Sequence, residues 1–229
     1  MISVVIPTLN AEASLGETLN ALIPAAVEGV VREVIIVDGG SSDHTLKIAD
    51  ASGATIVHAP SGRGAQLMAG AKTAKGTWLL FLHADTVLEA GWSREAAVFM
   101  ERVDRGKLQP TAAAFRFALD DHSWQPRLVE AGVAFRSSVL KLPYGDQGLL
   151  IQRALHDEVG GFHALPLMED VDLVRRLGRR RIVTLRTAAV TSAVRYRRDG
   201  YALRVLRNLT CLMLYRLGVP IDTIMRIYR

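Results

Sequence analysis

The sequence predicts an α/β protein: a mostly parallel central sheet flanked by helices, with a C-terminal helical region. Two observations carry this expectation. Apolar, β-branched runs recur through the first half, at Ile2–Ile6, Val34–Val37, Ala54–His58 and Trp78–Leu82. Of these, Ile2–Ile6, Val34–Val37 and Trp78–Leu82 read as strands buried in a sheet, and Ala54–His58 as a further strand. Stretches with helical spacing alternate with them over short connections, which implies parallel strands joined by right-handed crossovers. No Pro-, Gly- or Ser-rich linker, repeat or low-complexity tract divides the 229 residues, so one domain spanning 1–229 is expected. The 49% hydrophobic content is enough for a sizeable core.

The elements follow in order. Ile2–Ile6 is a central strand ended by Pro7. Ser14 and Glu17 have the spacing of a capping box, and Leu15, Leu19, Leu22 and Ile23 recur at helical spacing until Pro24. Val34–Val37 is the second strand, closed by Asp38-Gly39-Gly40-Ser41-Ser42-Asp43, and a helix from about Asp43 carries Leu46, Ile48 and Ala49. Ala54–His58 is a strand, Gly64–Ala74 a helix and Trp78–Leu82 a strand. In the second half, Thr111–Leu119 is a strand and Ser123–Leu140 a helix with a kink expected at Pro126. Gly148–Gln152 is a short strand, Gly160-Gly161-Phe162 a turn, Glu169–Leu177 a helix, and Ile182–Val194 holds one or two strands. Tyr201–Leu217 is an amphipathic helix, and Pro220 opens a last short one.

Charge is unevenly placed. From Arg175 to Arg229 there are 14 arginines against two acids, Asp199 and Asp222, a net +12 in a chain of net +5; residues 1–174 therefore carry −7. A basic C-terminal quarter suits a polyphosphate ligand or an anionic membrane surface. Nucleic acid has no motif behind it beyond this charge. The lone Cys211 excludes an internal disulfide and reads as a small apolar helix residue. Met1 runs straight into the first strand, and the most apolar stretch, Leu203–Val219, is interrupted by Arg204, Arg207 and Arg216. Neither a secretory leader nor a membrane span is expected, so a soluble, cytoplasmic protein is.

Several residues can carry chemistry. The fourth strand ends in His83-Ala84-Asp85, and ligands of parallel sheets bind beyond the carboxyl ends of strands. If extended geometry persists, His83 and Asp85 point the same way. Asp85 then suits a hard divalent cation beside a phosphate, or else it caps the following turn. Asp38 ends the second strand within reach of a base or ribose, although an Asp before Gly-Gly is also a common turn. Arg63, between two glycines at a helix start, can meet a phosphate with its charge and the helix dipole. Asp146 and Gln147 sit in a glycine-bounded turn with hydroxyl-binding potential. Met168-Glu169-Asp170-Val171-Asp172 crowds three carboxylates at a helix start; such crowding raises pKa values and suits a general base. A Walker loop and a dinucleotide fingerprint are both lacking, which disfavours an ATPase and an ordinary dehydrogenase.

Together these segments resemble the family-2 inverting glycosyltransferases of GT-A fold. The matching pieces are Val4-Val5-Ile6-Pro7-Thr8-Leu9-Asn10, Val37-Asp38-Gly39-Gly40-Ser41-Ser42-Asp43, Leu82-His83-Ala84-Asp85 and Glu169-Asp170. The chain is especially similar to a bacterial subgroup labelled selenodomain-associated transferases, through Gly62-Arg63-Gly64-Ala65-Gln66-Leu67, His83-Ala84-Asp85-Thr86, Pro143-Tyr144-Gly145-Asp146-Gln147-Gly148 and Pro166-Leu167-Met168-Glu169-Asp170-Val171-Asp172. The resemblance implies a nucleotide-binding half (1–110), an acceptor and catalytic half (111–198) and C-terminal helices (199–229). Pro7, Thr8, Asn10, Glu12, Asp38, Arg63 and His83 would bind the nucleotide, with Asp38 on the base. Asp85 would hold Mn²⁺ or Mg²⁺ on the diphosphate. Asp170 would be the general base, and Glu169, Asp146 and Gln147 would position acceptor or donor sugar. His83 stands where the family's metal motif usually has its first aspartate, which leaves metal affinity and nucleotide preference open. Transmembrane helices and the Gln-x-x-Arg-Trp motif of processive synthases are both missing.

A sugar-phosphate nucleotidyltransferase is the rival enzyme, but Pro7-Thr8-Leu9-Asn10 supplies no glycine-rich basic loop after the first strand. A non-catalytic nucleotide or membrane-surface module on the same fold is the third reading. The C-terminal basic helix either packs its leucines into the core or a homodimer interface, or lies on the inner face of an anionic membrane to meet a lipid-linked acceptor.

Overall fold

The computed structural model describes residues 1–139 and 143–228. In chain order the elements are β1 (Ile2–Thr8), α1 (Leu15–Asn20), α2 (Ile23–Val27), β2 (Val31–Asp38), α3 (Thr45–Ala51), β3 (Thr55–His58), α4 (Arg63–Thr73), β4 (Trp78–Phe81), β5 (Thr86–Leu88), α5 (Trp92–Asp104), β6 (Ala112–Leu119), α6 (Trp124–Val139), β7 (Leu149–Gln152), α7 (Arg153–Glu158), α8 (Glu169–Leu177), β8 (Ile182–Thr191), α9 (Val194–Asp199), α10 (Tyr201–Arg216) and α11 (Ile221–Tyr228). The eight strands form one sheet in the order β3-β2-β1-β4-β7-β6-β8-β5.

The first four strands pair in parallel, as the buried runs imply. Beyond them β7 is antiparallel to both β4 and β6, β6 and β8 are parallel, and β5 is antiparallel to β8. Side-chain alternation divides the core into two layers. Ile2, Val4, Ile6, Ile36 and Leu80 face α1 and α5, whereas Val5, Ile35, Val37, Leu79 and Phe81 face α4 and α8. The order reverses at β1, between β2 and β4, and such a switch point opens a crevice at the strands' carboxyl ends.

Several expected boundaries move for identifiable reasons. β1 continues through Pro7 to Thr8 because β4 pairs only with Ile2–Val5; the missing N–H of Pro7 lies beyond that ladder. β4 stops at Phe81, so His83–Asp85 form a turn, closed by Thr86 N–H donating to the His83 carbonyl at 3.3 Å, and the extended geometry does not persist. Pro24 does not end the first helix: that helix stops at Asn20, and Pro24 sits in the opening turn of α2, where no N–H is required. The Ser14 side chain makes no capping bond; instead the Ala11 carbonyl receives the Ser14 and Leu15 N–H groups. Pro126 falls in the first turn of α6, where its missing N–H costs no intrahelical bond, and the helix runs unbroken. The expected end of that helix at Leu140 lies outside the described residues. Ile182–Thr191 is a single strand with a shifted register near Ala114/Arg116 of β6. β5, α5, α7 and α9 have no counterpart in the sequence expectations. For α5 the signal is present, since Ala96, Phe99, Met100 and Val103 recur at helical spacing and are buried.

The leucines of α10 also depart from expectation. Cys211 and Leu212 are buried, but Leu203, Leu206, Leu209 and Met213 face outward. They do not pack into the core of this chain.

α4 lies close on the sheet because Gly70 has no side chain: a Cβ there would stand 2.3 Å from Val5 Cγ1 and 2.9 Å from Val37 Cγ2. Val5 and Val37 are fully buried and branched, so neither can yield cheaply. Gly70→Ala is expected to destabilise the fold by about 1–3 kcal/mol despite alanine's better helix propensity, lowering the urea midpoint followed by circular dichroism.

Candidate active site

The residues that end β1, β2 and β4 gather at the switch point. Asp38 is the knot. Its carboxylate, 1% exposed, accepts from the N–H groups of Gly40 and Ser41, both at 2.9 Å, from Ser41 Oγ at 2.5 Å and from Thr8 Oγ1 at 3.2 Å. These bonds hold its pKa below the ordinary carboxylate range although burial opposes them. Gln66 of α4 adds a second tie, donating to the carbonyls of Thr8 and Val37 at 2.8 and 2.7 Å. Asn10, in a left-handed conformation (φ 51°), accepts from the Ser42 N–H through Oδ1 and donates its own N–H to Ser41 Oγ, 2.9 Å each. Glu12 accepts from the His44 N–H at 2.8 Å.

Two cavities adjoin here. One, of about 420 Å³, is walled by Pro7, Thr8, Asn10 and Gln66 and by the loop before α8. The other, of about 160 Å³, is walled by Asp146, Asp170, Tyr144, α6 and α10. Arg63, His83, Asp85, Arg195 and Tyr228 line both. The structure thus brings Pro7, Thr8, Asn10, Arg63, His83, Asp85, Asp146 and Asp170 together around one partition. Asp38, Glu12, Gln147 and Glu169 are not on either wall. The carboxylates of Asp38 and Glu12 are spent on shaping the loops after β1 and β2. Gln147 is 1% exposed; its amide donates to the Phe115 carbonyl at 2.9 Å and accepts from Ser137 Oγ at 3.0 Å, which turns it toward the sheet.

The partition is strongly charged. Arg63 opens α4 and pairs through Nε with Glu169 Oε1 at 3.1 Å. Gly64 makes that approach possible, since a Cβ on it would lie 2.3 Å from the His163 carbonyl oxygen and 2.5 Å from that of Leu165. Glu169 is 1% exposed, and its second oxygen is buried with no hydrogen-bond partner. Burial, with Asp170 beside it, pushes its pKa up to about 7 against the pull of Arg63. Asp170 accepts from the Gly145 N–H at 2.6 Å through Oδ2 and from the Val171 N–H at 2.7 Å through Oδ1. The third carboxylate of that helix start, Asp172, turns away to His163 and Arg176 at 2.9 and 2.6 Å. Met168, the residue before this helix, is left-handed (φ 64°), and such backbone strain concentrates at functional sites.

His83 is held neutral, its pKa depressed to about 3 by burial and by Arg63 and Arg195. Its ring lies so close to Gly145 that a Cβ there would stand 2.8 Å from Nε2. Burial raises the pKa of Asp85 against the pull of Arg195 and Arg63. Among the described residues no group of three His, Cys, Asp or Glu could hold a metal ion. Asp85 and a neutral His83 still fit a hard cation that takes its other ligands from a diphosphate and water, since such ions need only one or two protein carboxylates.

Arg195, on α9, and Tyr228, at the end of α11, are wall residues that sequence reasoning misses. Arg195 is one of 14 arginines in a basic stretch, and Tyr228 comes from the far end of the chain; neither has a local signal. Gln66 does have one, in Gly62-Arg63-Gly64-Ala65-Gln66.

The family Glycosyl transferase family 2 matches residues 3–165. The chain belongs to this family. Relatives include the PGL/p-HBAD biosynthesis glycosyltransferase of Mycobacterium tuberculosis, 36% identical over 114 residues (44% of this chain, 41% of that protein). Another is the undecaprenyl-phosphate 4-deoxy-4-formamido-L-arabinose transferase of Pseudomonas aeruginosa, 29% identical over 157 residues (63% and 45%). The chain spans less than half the length of these curated relatives. Among solved structures it is similar to S. aureus TarS 1–349, with TM-score 0.66 and 19% identity over 99% of this chain and 69% of that one. It is also similar to glucosyl-3-phosphoglycerate synthase from M. tuberculosis in complex with Mn²⁺, UDP and phosphoglyceric acid, with TM-score 0.56 and 21% identity over 96% and 79%. These likenesses establish the GT-A arrangement of the family-2 chain's sheet.

Asp146 supplies a check on the site's electrostatics. Its Oδ1 is buried with no hydrogen-bond partner, and burial raises its pKa from 3.8 to about 6 although Arg136 opposes the shift. The folded state therefore takes up a proton that the unfolded state has released, and this carboxyl's contribution to stability is lost as pH rises from about 4 to 6. Asp146→Asn is expected to flatten that part of the profile relative to wild type, measured by urea unfolding at each pH.

Proposed function

We propose that this chain transfers a sugar from a nucleoside-diphosphate sugar to an acceptor hydroxyl with inversion at the anomeric carbon. The observation that carries the reading is the shared wall. Two adjoining cavities have Arg63, His83, Asp85 and Arg195 in common, while Asp146 and Asp170 belong to the smaller one. Residues 1–110 then serve the donor, 111–198 the acceptor, and 199–229 close the site.

The donor nucleotide lies in the larger cavity against Pro7, Thr8 and Asn10; Asp38 holds the Thr8 hydroxyl and Gln66 the Thr8 carbonyl in place. Arg63 and Arg195 face its diphosphate, where guanidinium groups make strong charge-assisted bonds. A divalent cation, Mn²⁺ or Mg²⁺, would be held by Asp85 with His83 beside it and would supply neutralisation of charge on the departing diphosphate. In the smaller cavity Asp170 accepts the proton of the acceptor hydroxyl. The oxygen attacks the anomeric carbon opposite the diphosphate, so the new C–O bond forms as the sugar–phosphate bond breaks. The Gly145 N–H fixes Asp170 Oδ2 for this task. Asp146, inclined to keep a proton, is suited to donate a hydrogen bond to a sugar or acceptor hydroxyl, while Glu169 acts from behind the wall by positioning Arg63. The acceptor cavity mixes arginines with Val133, Leu209 and Leu212, which suits an acceptor carried on a lipid, as the name of the P. aeruginosa relative specifies for that protein. The four short segments shared with the selenodomain-associated transferases make that subgroup part of the same reading.

Calorimetric titration of UDP and GDP, with and without Mn²⁺, is the direct test. Metal-dependent binding of one nucleotide, lost in Asp85→Ala, is expected. Asp170→Asn should retain that binding while sugar turnover falls about 10²–10⁴-fold, the usual size of a general-base effect. Binding indifferent to metal and to Asp85→Ala would reduce Asp85 to a turn residue. Nucleotide binding without sugar turnover in the wild type would favour the non-catalytic module, and pyrophosphate release from a nucleoside triphosphate the nucleotidyltransferase.

A further inference from the structure

Two neighbouring helices each bury one face and leave an apolar row outside. On α6, Val129 and Val133 pack beneath with Phe117 and Leu119. Trp124, Leu128 and Phe135, spaced four and seven residues apart, fall within about 40° of one another around the helix and are 69%, 65% and 63% exposed. On α10, Cys211 and Leu212 pack with Leu167 and Val171. Leu203, Leu206, Met213 and Leu217 form a strip on another side and are more than half exposed. Isolated surface leucines need no explanation, but seven large apolar side chains on two touching helices do.

The surroundings of α10 are cationic. Arg195, Arg197 and Arg198 on α9 and Arg216 on α10 are exposed. The one acid of α9, Asp199, is consumed by Arg198, Arg204 and Arg207 at 2.8, 3.2 and 3.3 Å. No helix among the described residues is long and apolar enough to cross a membrane. Arg197 lies 3.9 Å from both Asp120 and Asp121, yet α9 and α10 together carry six arginines against Asp199 as their one acid. An exposed apolar strip beside this excess of positive charge, on a helix too polar to span, matches a surface that lies in the headgroup region of an anionic bilayer.

We propose that the outer faces of α6 and α10 dock this protein on an anionic lipid bilayer, the apolar rows entering the acyl boundary and the arginines meeting lipid phosphates. A second copy of the chain is the weaker occupant, because a two-fold contact through this face would set the arginine-rich border against itself. The acceptor cavity lies beside this surface, since Val133 and Arg136 of α6 and Asn208 and Leu212 of α10 line it. The docking surface stands without the transfer reading, and its test uses neither nucleotide nor sugar.

Trp124 reports the contact directly, because Trp78 and Trp92 are 1% and 3% exposed. The intact protein is mixed with phosphatidylcholine vesicles with and without phosphatidylglycerol, and both flotation and tryptophan emission are read. Co-flotation and a blue shift with the anionic vesicles alone are expected, both lost at high salt and in the double variant Leu206→Glu, Met213→Glu. Those positions are exposed, so the variant's circular dichroism should match wild type. Trp124→Phe should remove the shift and leave most of the flotation. Absence of flotation with anionic vesicles overturns the proposal. If a dimer then forms in sedimentation without lipid and is broken by the double variant, the face belongs to a second copy.

Discussion

The arrangement depends on one ion pair, Arg63 with Glu169, formed between residues more than a hundred positions apart. It fastens the start of α4, which serves the larger cavity, to the start of α8, which serves the smaller. Its energetics are balanced rather than simply favourable. Desolvating a carboxylate costs several kcal/mol, and one guanidinium repays this only with good geometry and with both oxygens satisfied. Here the second oxygen of Glu169 has no partner, and the group's pKa rises to about 7 in spite of Arg63. Near neutral pH, then, the pair is a poor stabiliser for its degree of burial. Buried pairs of this kind are often replaceable by apolar side chains without loss of stability, so folding alone does not call for this one.

The rest of the partition follows the same pattern. His83 is kept neutral, Asp85 and Asp146 are pushed toward their protonated forms, and burial is the first cause in each case. Beside them stand the guanidinium groups of Arg63 and Arg195. A wall with two permanent cations and several reluctant anions presents a positive face to whatever enters, and a diphosphate is the ligand such a face rewards. The carboxylates that are comfortably ionised, such as Asp38, lie behind the wall and hold loops in place.

Much of this was legible in the residues. β1, β2 and β4 show as continuous apolar runs because both sheet faces are covered. The chain segments of the site show as polar residues following those runs. What could not be read was which polar residue faces the cavity. Asp38 and Gln147 have the right chemistry, yet their neighbours' N–H, hydroxyl and carbonyl groups claim them first. A strand-ending aspartate that binds ligand and one that binds its own loop are the same letter. Arg195 and Tyr228 reach the wall through tertiary packing of α9 and α11, for which no spacing in the sequence gives a sign. The boundary at Pro7 fails for a different reason. A proline's effect on a strand depends on how far the neighbouring strand extends, and here β4 falls short.

The two cavities also differ in how firmly they are built, and that bears on how a transferase would work. The wall contributed by β1 and α4 is tied by Asp38 and Gln66 to the central strands, the most buried part of the sheet. The smaller cavity's own wall is contributed largely by α6 and α10, which pack through the smaller clusters around Phe117, on the sheet's second half, and around Ile224, against the start of α8. Fewer buried apolar contacts mean that such elements open at lower cost than the central strands. The rigid side would hold the reacting bond in place, while the looser side admits acceptors of different shape. Divergence in acceptor within one family then needs changes only in the C-terminal helices, leaving the loops after β1, β2 and β4 as they are.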